Sequence, residues 1–200
     1  RRTGRYKCLV DARTGELHYR RDLVVSEHDH GEGNDDDAAD VQVNGTVHTD
    51  GALVPATVEG LPDLRVTING NFLFADSDGN LPTGIAGPVS AQFQLRGRWS
   101  NVTTNNVNPS FTTTLNEGAN TASFDNNANI KERTAYYSVS AIHNHCNAVL
   151  PGFTGMDLVL PTRVDLTTDT CNAFYDGSSI NFYAQSATCR ALSLYADVVY

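Results

Sequence analysis

Several features that define common protein classes are missing from this sequence of 200 residues. No apolar run reaches the roughly 18 residues of a membrane-spanning helix, so we expect no membrane partner. Only 14 Lys and Arg side chains stand against 23 Asp and Glu. This balance disfavours nucleic acid as a partner, because phosphate binding requires clustered positive charge. No Gly-x-Ser-x-Gly motif, phosphate-binding loop or dinucleotide fingerprint occurs, so serine hydrolases and nucleotide-dependent enzymes have no support.

The composition that remains favours β-structure. Val and Leu occur in short runs separated by Thr, Asn, Gly and Ser, which is typical of strands and turns rather than helices. Residues 5–25 are predicted to form a strand, a turn at 11–15 and a second strand. Residues 26–40 contain a block of acids without Lys or Arg and show no apolar periodicity, so they are predicted to be a flexible acidic linker.

Residues 41–125 have the pattern of a β-sandwich. Short alternating segments at 41–43 and 46–48 surround Asn44-Gly45, and another segment at 64–68 leads into Asn69-Gly70, a strong hairpin signal. Short strands with regular turns and no helical period predict packed antiparallel sheets.

The pattern changes after residue 125. Apolar residues between 128 and 149 recur every three or four positions, which predicts a helix with one buried face that ends before Pro151-Gly152. Strand-like segments then return at 158–160, 163–166 and 179–183. The sequence closes within an apolar run at 192–200, which we expect to be exposed, disordered or covered by another part of the protein.

Four cysteines occur, at positions 8, 146, 171 and 189. A disulfide between Cys171 and Cys189 closes a loop short enough to form readily, with a stabilisation of about 3 kcal/mol on the chain-entropy estimate. We therefore predict this pairing. Nothing local pairs Cys8 or Cys146.

Three segments resemble the gluzincin zinc peptidases, especially the fungalysin-like enzymes and, more distantly, thermolysin. The most specific is CNAFYDGSSINFY at 171–183, followed by ADVVY at 196–200. KERTAYY at 131–137, with Ile142-His143, resembles the early helix of that family. YKCLVDARTG at 6–15 resembles the closing hairpin of the family's propeptide.

This resemblance implies a mainly β fold with some α-structure (α+β), in which an antiparallel β-sandwich precedes the β-rich N-terminal part of a thermolysin-like peptidase domain. The implied division is a propeptide hairpin at 1–25, the linker at 26–40, the sandwich at 41–125 and the peptidase part at 126–200. The resemblance implies that the chain is a fragment of a secreted zinc endopeptidase precursor, or zymogen. The intact enzyme would act on peptides or proteins. A catalytic zinc requires three protein ligands and an open position, and the family's His-Glu-x-x-His motif is expected directly after Tyr200. We therefore expect the chain alone to be inactive.

The resemblance also assigns roles to individual residues. Asn172 and Ala173 match positions at which the family pairs with the substrate backbone along an exposed strand edge; the alternative is a turn and strand fastened by Cys171. Asp197 matches a position that helps to hold calcium in thermolysin, so calcium is a candidate cofactor. The alternative for Asp197, which we favour, is an acid that stabilises a helix N-terminus.

Two further groups have the residue types of metal sites. His143 and His145 point to different sides of a helix, so packing and surface polarity are favoured over a shared ion. The DSDGN sequence at 76–80 is similar to the start of a calcium loop but lacks the completing Glu, so a solvated turn is favoured. A different class of function, a non-catalytic secreted β-sandwich that binds a carbohydrate or a protein, remains the alternative to the peptidase.

Overall fold

A computed structural model describes residues 6–10, 17–22 and 38–199, with side chains described from residue 38 onward except that of Asp197. The chain divides into two compact units, Arg1–Asn34 and Asp35–Tyr200. In the first unit, β1 (Tyr6–Val10) and β2 (Leu17–Asp22) pair in antiparallel register, as the sequence predicts. The predicted turn at 11–15 and most of the predicted acidic linker lie outside the described residues.

The second unit contains short strands and one long helix, α1 (Ile130–Val149). The strands are β3 (Ala38–Val47), β4 (Thr57–Gly60), β5 (Leu64–Ile68), β6 (Asn71–Phe74), β7 (Ile85–Ala86), β8 (Val89–Gly97), β9 (Ser100–Thr104), β10 (Ser110–Leu115), β11 (Gly118–Ser123), β12 (Leu160–Thr170), β13 (Ala173–Tyr175) and β14 (Ile180–Ala184). A 3-10 turn (Leu192–Leu194) and a short helix, α2 (Ala196–Val199), follow. The predicted mainly β, α+β fold is confirmed. No helix in the described part is both long and apolar enough to cross a membrane.

Two sheets organise this unit. The larger has the order β13-β14-β12-β9-β8-β5-β6, with β10 also paired to β8. The smaller has the order β11-β3-β4, with β7 also paired to β3. The pairs β9–β12, β12–β14 and β3–β11 are parallel, so the sheets are mixed. Because β9 pairs with β12, the ranges 41–125 and 126–200 share one sheet.

Of the two Asn-Gly pairs, only one makes a hairpin. Asn69 and Gly70 have φ angles of 51° and 78° and join β5 to β6, as predicted from a tight turn that needs left-handed backbone at both positions. The expectation of two short strands around Asn44-Gly45 is wrong, because β3 continues through both residues. Gly45 is instead a position of close approach: a Cβ there would lie 2.8 Å from Cδ of Arg133.

The inward faces of both sheets contribute to one apolar core. Successive strand residues point to opposite faces, so alternate residues of β3, β5 and β8 are buried. Phe93 stacks on Phe111 with ring centroids 5.0 Å apart, and Phe111 meets the edge of Phe124 at 4.9 Å. This core continues into α1 through Ala135, Tyr136 and Val139 and into β12 through Val164.

Helix α1 has a capped start, and it ends where the sequence predicts. Asn129 accepts a hydrogen bond from the backbone N–H of Glu132, while the Glu132 carboxylate accepts one from the backbone N–H of Asn129, which is a capping box. The helix ends at Val149, before Pro151-Gly152. The apolar run at 192–199 packs against this helix, which covers much of it, while Val198 stays exposed.

The Arg133 guanidinium joins α1 to the sheets. Its side chain is only 7% exposed, and it donates hydrogen bonds to the backbone carbonyls of Thr46, Phe124, Asp125 and Ala128. It also pairs with the Asp125 carboxylate at 3.2 Å. Burial opposes the charge of Asp125, but hydrogen bonds from Thr46 and the charge of Arg133 outweigh it and lower the pKa of that carboxyl. Burial lowers the pKa of Arg133 in turn.

We expect Arg133→Met to reduce the free energy of unfolding by about 3 kcal/mol, because the substitution leaves several carbonyls and Asp125 without their donor. The free energy of unfolding of Arg133→Lys should lie between those of the wild type and Arg133→Met, because an ammonium keeps the charge but not the several fixed donors of a guanidinium. Urea unfolding at neutral pH measures both values. A loss below 1 kcal/mol for Arg133→Met would contradict this role.

Candidate functional site

Strand β13 forms one edge of the larger sheet. Its inner side pairs with β14, and the N–H of Tyr183 donates to the carbonyl of Asn172. Because hydrogen-bonding direction alternates along an antiparallel strand, Phe174 also faces β14, while Ala173 and Tyr175 direct their main-chain groups outward. The Ala173 N–H is satisfied by the Asn172 side chain at 2.9 Å. The Ala173 carbonyl and both backbone groups of Tyr175 remain directed toward the open edge.

A disulfide holds the start of this edge strand. Cys171 and Cys189 are bonded, with their Cα atoms 5.8 Å apart, which confirms the predicted pairing. Cys171 adopts a left-handed backbone conformation with φ of 64°, and its N–H donates to the carbonyl of Ala184 in β14. The chain is therefore fixed immediately before Asn172.

A carboxylate-centred turn holds the other end of β13. Asp176 Oδ1 accepts from the backbone N–H groups of Ser178 and Ser179, at 2.9 and 2.7 Å, and Oδ2 accepts from the Ser179 hydroxyl at 2.7 Å. The guanidinium of Arg163 lies 3.5 Å from the same carboxylate. The hydrogen bond from the Ser179 side chain, followed by those from Ser178, lowers the pKa of Asp176 well below its ordinary value.

A pocket of about 520 Å³ lies beside β13. Its lining is mostly apolar and comes from several elements: Trp99, Val139, His143, Gly155, Met156, Leu158, Leu160, Ala173, Phe174, Tyr175, Ile180, Val198 and Val199. Mostly apolar concavities with a few polar groups are the usual form of ligand sites. The sheet edge and the pocket therefore form one continuous candidate site.

One wall of the pocket is a stack of two rings. The Trp99 and His143 rings are nearly parallel, with centroids 3.5 Å apart. His143 is buried, and its Nε2 lies 2.8 Å from Oδ1 of Asp157, which fastens the loop after α1. The other ring nitrogen lies 3.3 Å from Oδ1 of Asn144. Both nitrogens of His143 therefore have protein partners, and its role in the wall is to position Trp99 and Asp157.

Trp99 also has an unmet hydrogen-bonding group. Its indole N–H is buried and has no hydrogen-bond partner within the described part of the chain. A buried donor without a partner carries a desolvation cost of about 1–3 kcal/mol, which an acceptor on a bound ligand would remove.

Apolar side chains around the pocket remain exposed. They come from the end of α1, the loop that follows it, β13 and α2: Val149, Leu150, Phe153, Leu158, Val159, Phe174, Tyr175 and Val198. Tyr175 is 64% exposed although it belongs to a strand. Of these, Leu158, Phe174, Tyr175 and Val198 line the pocket, and exposed apolar side chains grouped around a concavity are typical of interaction sites.

The structure places the residues that were predicted from the sequence in different surroundings. Ala173 lies in the edge strand and lines the pocket, whereas Asn172 immediately precedes that strand and its carbonyl faces β14. The side chain of Asp197 lies outside the described residues, so its calcium role stays a prediction. Asp76 Oδ1 accepts hydrogen bonds from the backbone N–H groups of Asp78 and Asn80, the bonding of a β-turn. Cys146 is a free, half-buried thiol, and the side chain of Cys8 lies outside the described residues.

Trp99, Asp157 and Tyr175 were not selected from the sequence. Trp99 is the single tryptophan of the chain, which is the only signal that distinguishes it. Asp157 and His143 are 14 positions apart and meet only because the loop after α1 folds back over the helix. Among the described residues, no group of three or more His, Cys, Asp or Glu side chains is arranged to hold a metal ion.

The sequence matches no protein-family model, and the search of curated proteins finds no match.

We expect the stabilising effect of Asp176 to depend on pH. Its folded-state pKa lies below the unfolded value of about 3.9, so its contribution is fully present above that value and is lost as pH falls through the folded pKa. The difference in free energy of unfolding between the wild type and Asp176→Asn should therefore be constant near neutral pH and shrink below about pH 4. Urea unfolding across this range measures it. Ser178→Ala is the control, because it keeps the carboxylate and should therefore retain a weaker form of the pH dependence. If the difference in stability between the wild type and Asp176→Asn did not change with pH, the proposed role of the Asp176 charge would be contradicted.

Proposed function

We propose that this chain is part of a secreted, zinc-dependent endopeptidase precursor and that the β13 edge, with the adjoining pocket, binds the peptide substrate. The observation that carries the proposal is the outward-facing backbone of Ala173 and Tyr175 next to an apolar pocket. The resemblance of residues 171–183 to gluzincin peptidases supports it from the sequence.

The chemistry of the edge suits an extended peptide. Such a peptide adds to a sheet as a further strand, gaining main-chain hydrogen bonds from the edge and specificity from pockets for its side chains. Here the Ala173 carbonyl would accept an N–H of the peptide, and the Tyr175 N–H would donate to a peptide carbonyl. An apolar substrate side chain would enter the pocket against Trp99, and a peptide carbonyl there would satisfy the unpartnered indole N–H.

Zinc, when bound in such an enzyme, polarises the scissile carbonyl and activates a water molecule. The described residues do not provide a fitting donor set, since they contain no suitable cluster of three ligands. The chain's own residues are proposed to bind and orient the peptide, with the zinc ligands following Tyr200.

Two features support the secreted and precursor parts of the proposal. The Cys171–Cys189 disulfide is compatible with an oxidising compartment outside the cytosol. The β1–β2 hairpin occupies the region that resembles the end of a propeptide.

A non-catalytic binding protein is the second candidate. The edge and the pocket can bind a peptide without any metal, because every contact proposed above comes from the backbone, from apolar side chains or from the Trp99 indole N–H. The two candidates share the binding site and differ only in whether zinc ligands accompany it.

Peptide binding can be measured by the fluorescence of Trp99, the single tryptophan. We expect a blocked hexapeptide of alternating Ala and Leu to change the Trp99 emission in a saturable manner, because it excludes water from the pocket. Tyr175→Pro removes an outward N–H without removing a hydrogen bond to β14 and should weaken binding about fivefold or more.

Tyr175→Ala is the matched control, because it removes the same side chain and keeps the N–H. Binding that is equally weak in both variants would show that the edge backbone contributes nothing. No saturable emission change with wild-type protein would end the peptide-binding proposal.

The peptidase assignment is tested by the coding sequence beyond the codon for Tyr200. We expect it to encode His-Glu-x-x-His at once, which would place zinc ligands on the continuation of α2. A different continuation, together with peptide binding, would leave the non-catalytic candidate.

A further inference from the structure

The solvent-facing side of the larger sheet carries a second distinctive surface. Strands β5, β6 and β8 direct alternate side chains away from the core, and Arg98 follows β8 directly. We call this surface the arginine face and define it by these residues: Arg65, Thr67, Phe72, Phe74, Gln92, Gln94, Arg96 and Arg98. Phe72 is 59% exposed, and Gln92 is exposed beside it.

The charge of this surface opposes that of the protein as a whole. Residues 38–199 contain fourteen acidic and seven basic side chains. No Asp or Glu occupies an outward position on β5, β6, β8, β9 or β10. The four basic residues elsewhere are engaged: Lys131 with Asp165, Arg133 with Asp125, Arg163 with Asp176 and Arg190 with the carbonyl of Ala52. The three remaining arginines all belong to the arginine face.

Aromatic rings hold two of these guanidinium groups. Arg65 lies over the Phe72 ring, 4.5 Å from its centroid, and Arg98 lies over the Phe74 ring at 4.1 Å. Stacking fixes the plane of a guanidinium while its edges remain able to donate hydrogen bonds. The nearest acid to Arg98 is Asp63, whose carboxylate lies 3.8 Å from Nε. The Phe72 ring therefore orients Arg65 without neutralising it, whereas Arg98 is both stacked on Phe74 and paired with Asp63.

Arg65 retains unused binding capacity. One terminal nitrogen donates to the side-chain oxygen of Gln94, but its Nε is buried and has no hydrogen-bond partner among the described residues. Burial, followed by the neighbouring charge of Arg96, lowers the pKa of Arg65. Two adjacent cations and an unpartnered donor are a destabilising arrangement that a bound anion would relieve.

Neutral polar side chains continue the surface beside the arginines. Thr67 lies opposite both Phe72 and Gln92 in the sheet register, and Gln92 lies opposite Thr112 of β10. An aromatic ring, hydroxyls and an amide thus form one row across four strands. Such groups suit the apolar ring face and the hydroxyl groups of a sugar, whereas the face of a sheet presents no main-chain donors for an extended peptide.

We propose that the arginine face binds an acidic polysaccharide, with the carboxylates of its uronic-acid units on Arg65 and Arg96 and a sugar ring against Phe72. This site is separate from the peptide edge, so it stands or falls independently of the peptidase assignment.

The test uses the whole chain and isothermal titration calorimetry with a hexamer of galacturonic acid. We expect binding that weakens as salt is added, because carboxylate–arginine contacts are partly exposed and screened. The fully methyl-esterified hexamer, which keeps the sugar rings and removes the charges, should bind at least about tenfold more weakly. A hexapeptide of glutamate, which keeps the charges and removes the sugars, should bind more weakly than the acidic hexamer.

Variants locate the binding. Arg96→Gln and Arg65→Gln should each weaken binding of the acidic hexamer about tenfold, and Phe72→Ala should weaken it severalfold. Arg190→Gln is the matched control, since it makes the same charge change elsewhere and should leave binding unaltered. Thermal unfolding checks that each variant is folded; Arg96 is only half-buried, so its variant remains informative if Arg65→Gln is destabilised.

Three results would overturn the proposal. The first is the absence of binding by the acidic hexamer, and the second is binding that Arg96→Gln and Phe72→Ala leave unchanged. The third is equal or tighter binding of the glutamate peptide, which would mean that the face recognises charge alone.

Discussion

The buried guanidinium of Arg133 is the interaction on which the arrangement of this protein depends. It satisfies the Thr46 carbonyl of β3 and three carbonyls of the turn between β11 and α1, and β3 is distant in sequence from that turn. A guanidinium removed from water is stable only when nearly all of its donors are used. The geometry of the turn before α1 is therefore constrained, and with it the path of the helix across the sheets. Through that path, Val139 and His143 reach the pocket beside β13.

The candidate peptide site is an edge strand that is held in place at both ends but is unpaired on its outer side within the described structure. A disulfide holds β13 before Asn172, and the Asp176 turn holds it after Tyr175. Its inner side is paired with β14, and none of the described strands pairs with its outer side. Exposed edges are usually shielded because they invite unwanted pairing. An edge that is held firmly, left open and placed beside an apolar pocket is better suited to binding a peptide strand.

The same sheet carries both proposed sites on different parts of its surface. The parallel pairing of β9 with β12 joins the strands of the arginine face to those of the peptide edge. A rigid sheet would thus hold a polysaccharide and a peptide at a fixed spacing. In a secreted peptidase, this arrangement would keep the enzyme near proteins embedded in an acidic polysaccharide.

Features that depend on neighbouring residues could be predicted from the amino-acid sequence. The Asn69-Gly70 hairpin, the period of α1 and the Cys171–Cys189 pairing all arise from local backbone preference, amphipathicity or short loop closure. Asn44-Gly45 has the same local signal as Asn69-Gly70, yet Gly45 is required because Arg133, from a distant helix, passes against it. Three features could not be predicted in this way: which side of β13 stays open, the stacking of Trp99 on His143, and the proximity of Arg65 to Arg96. Strand register and long-range packing determine these contacts, and neither is set by the residues next to them in the chain.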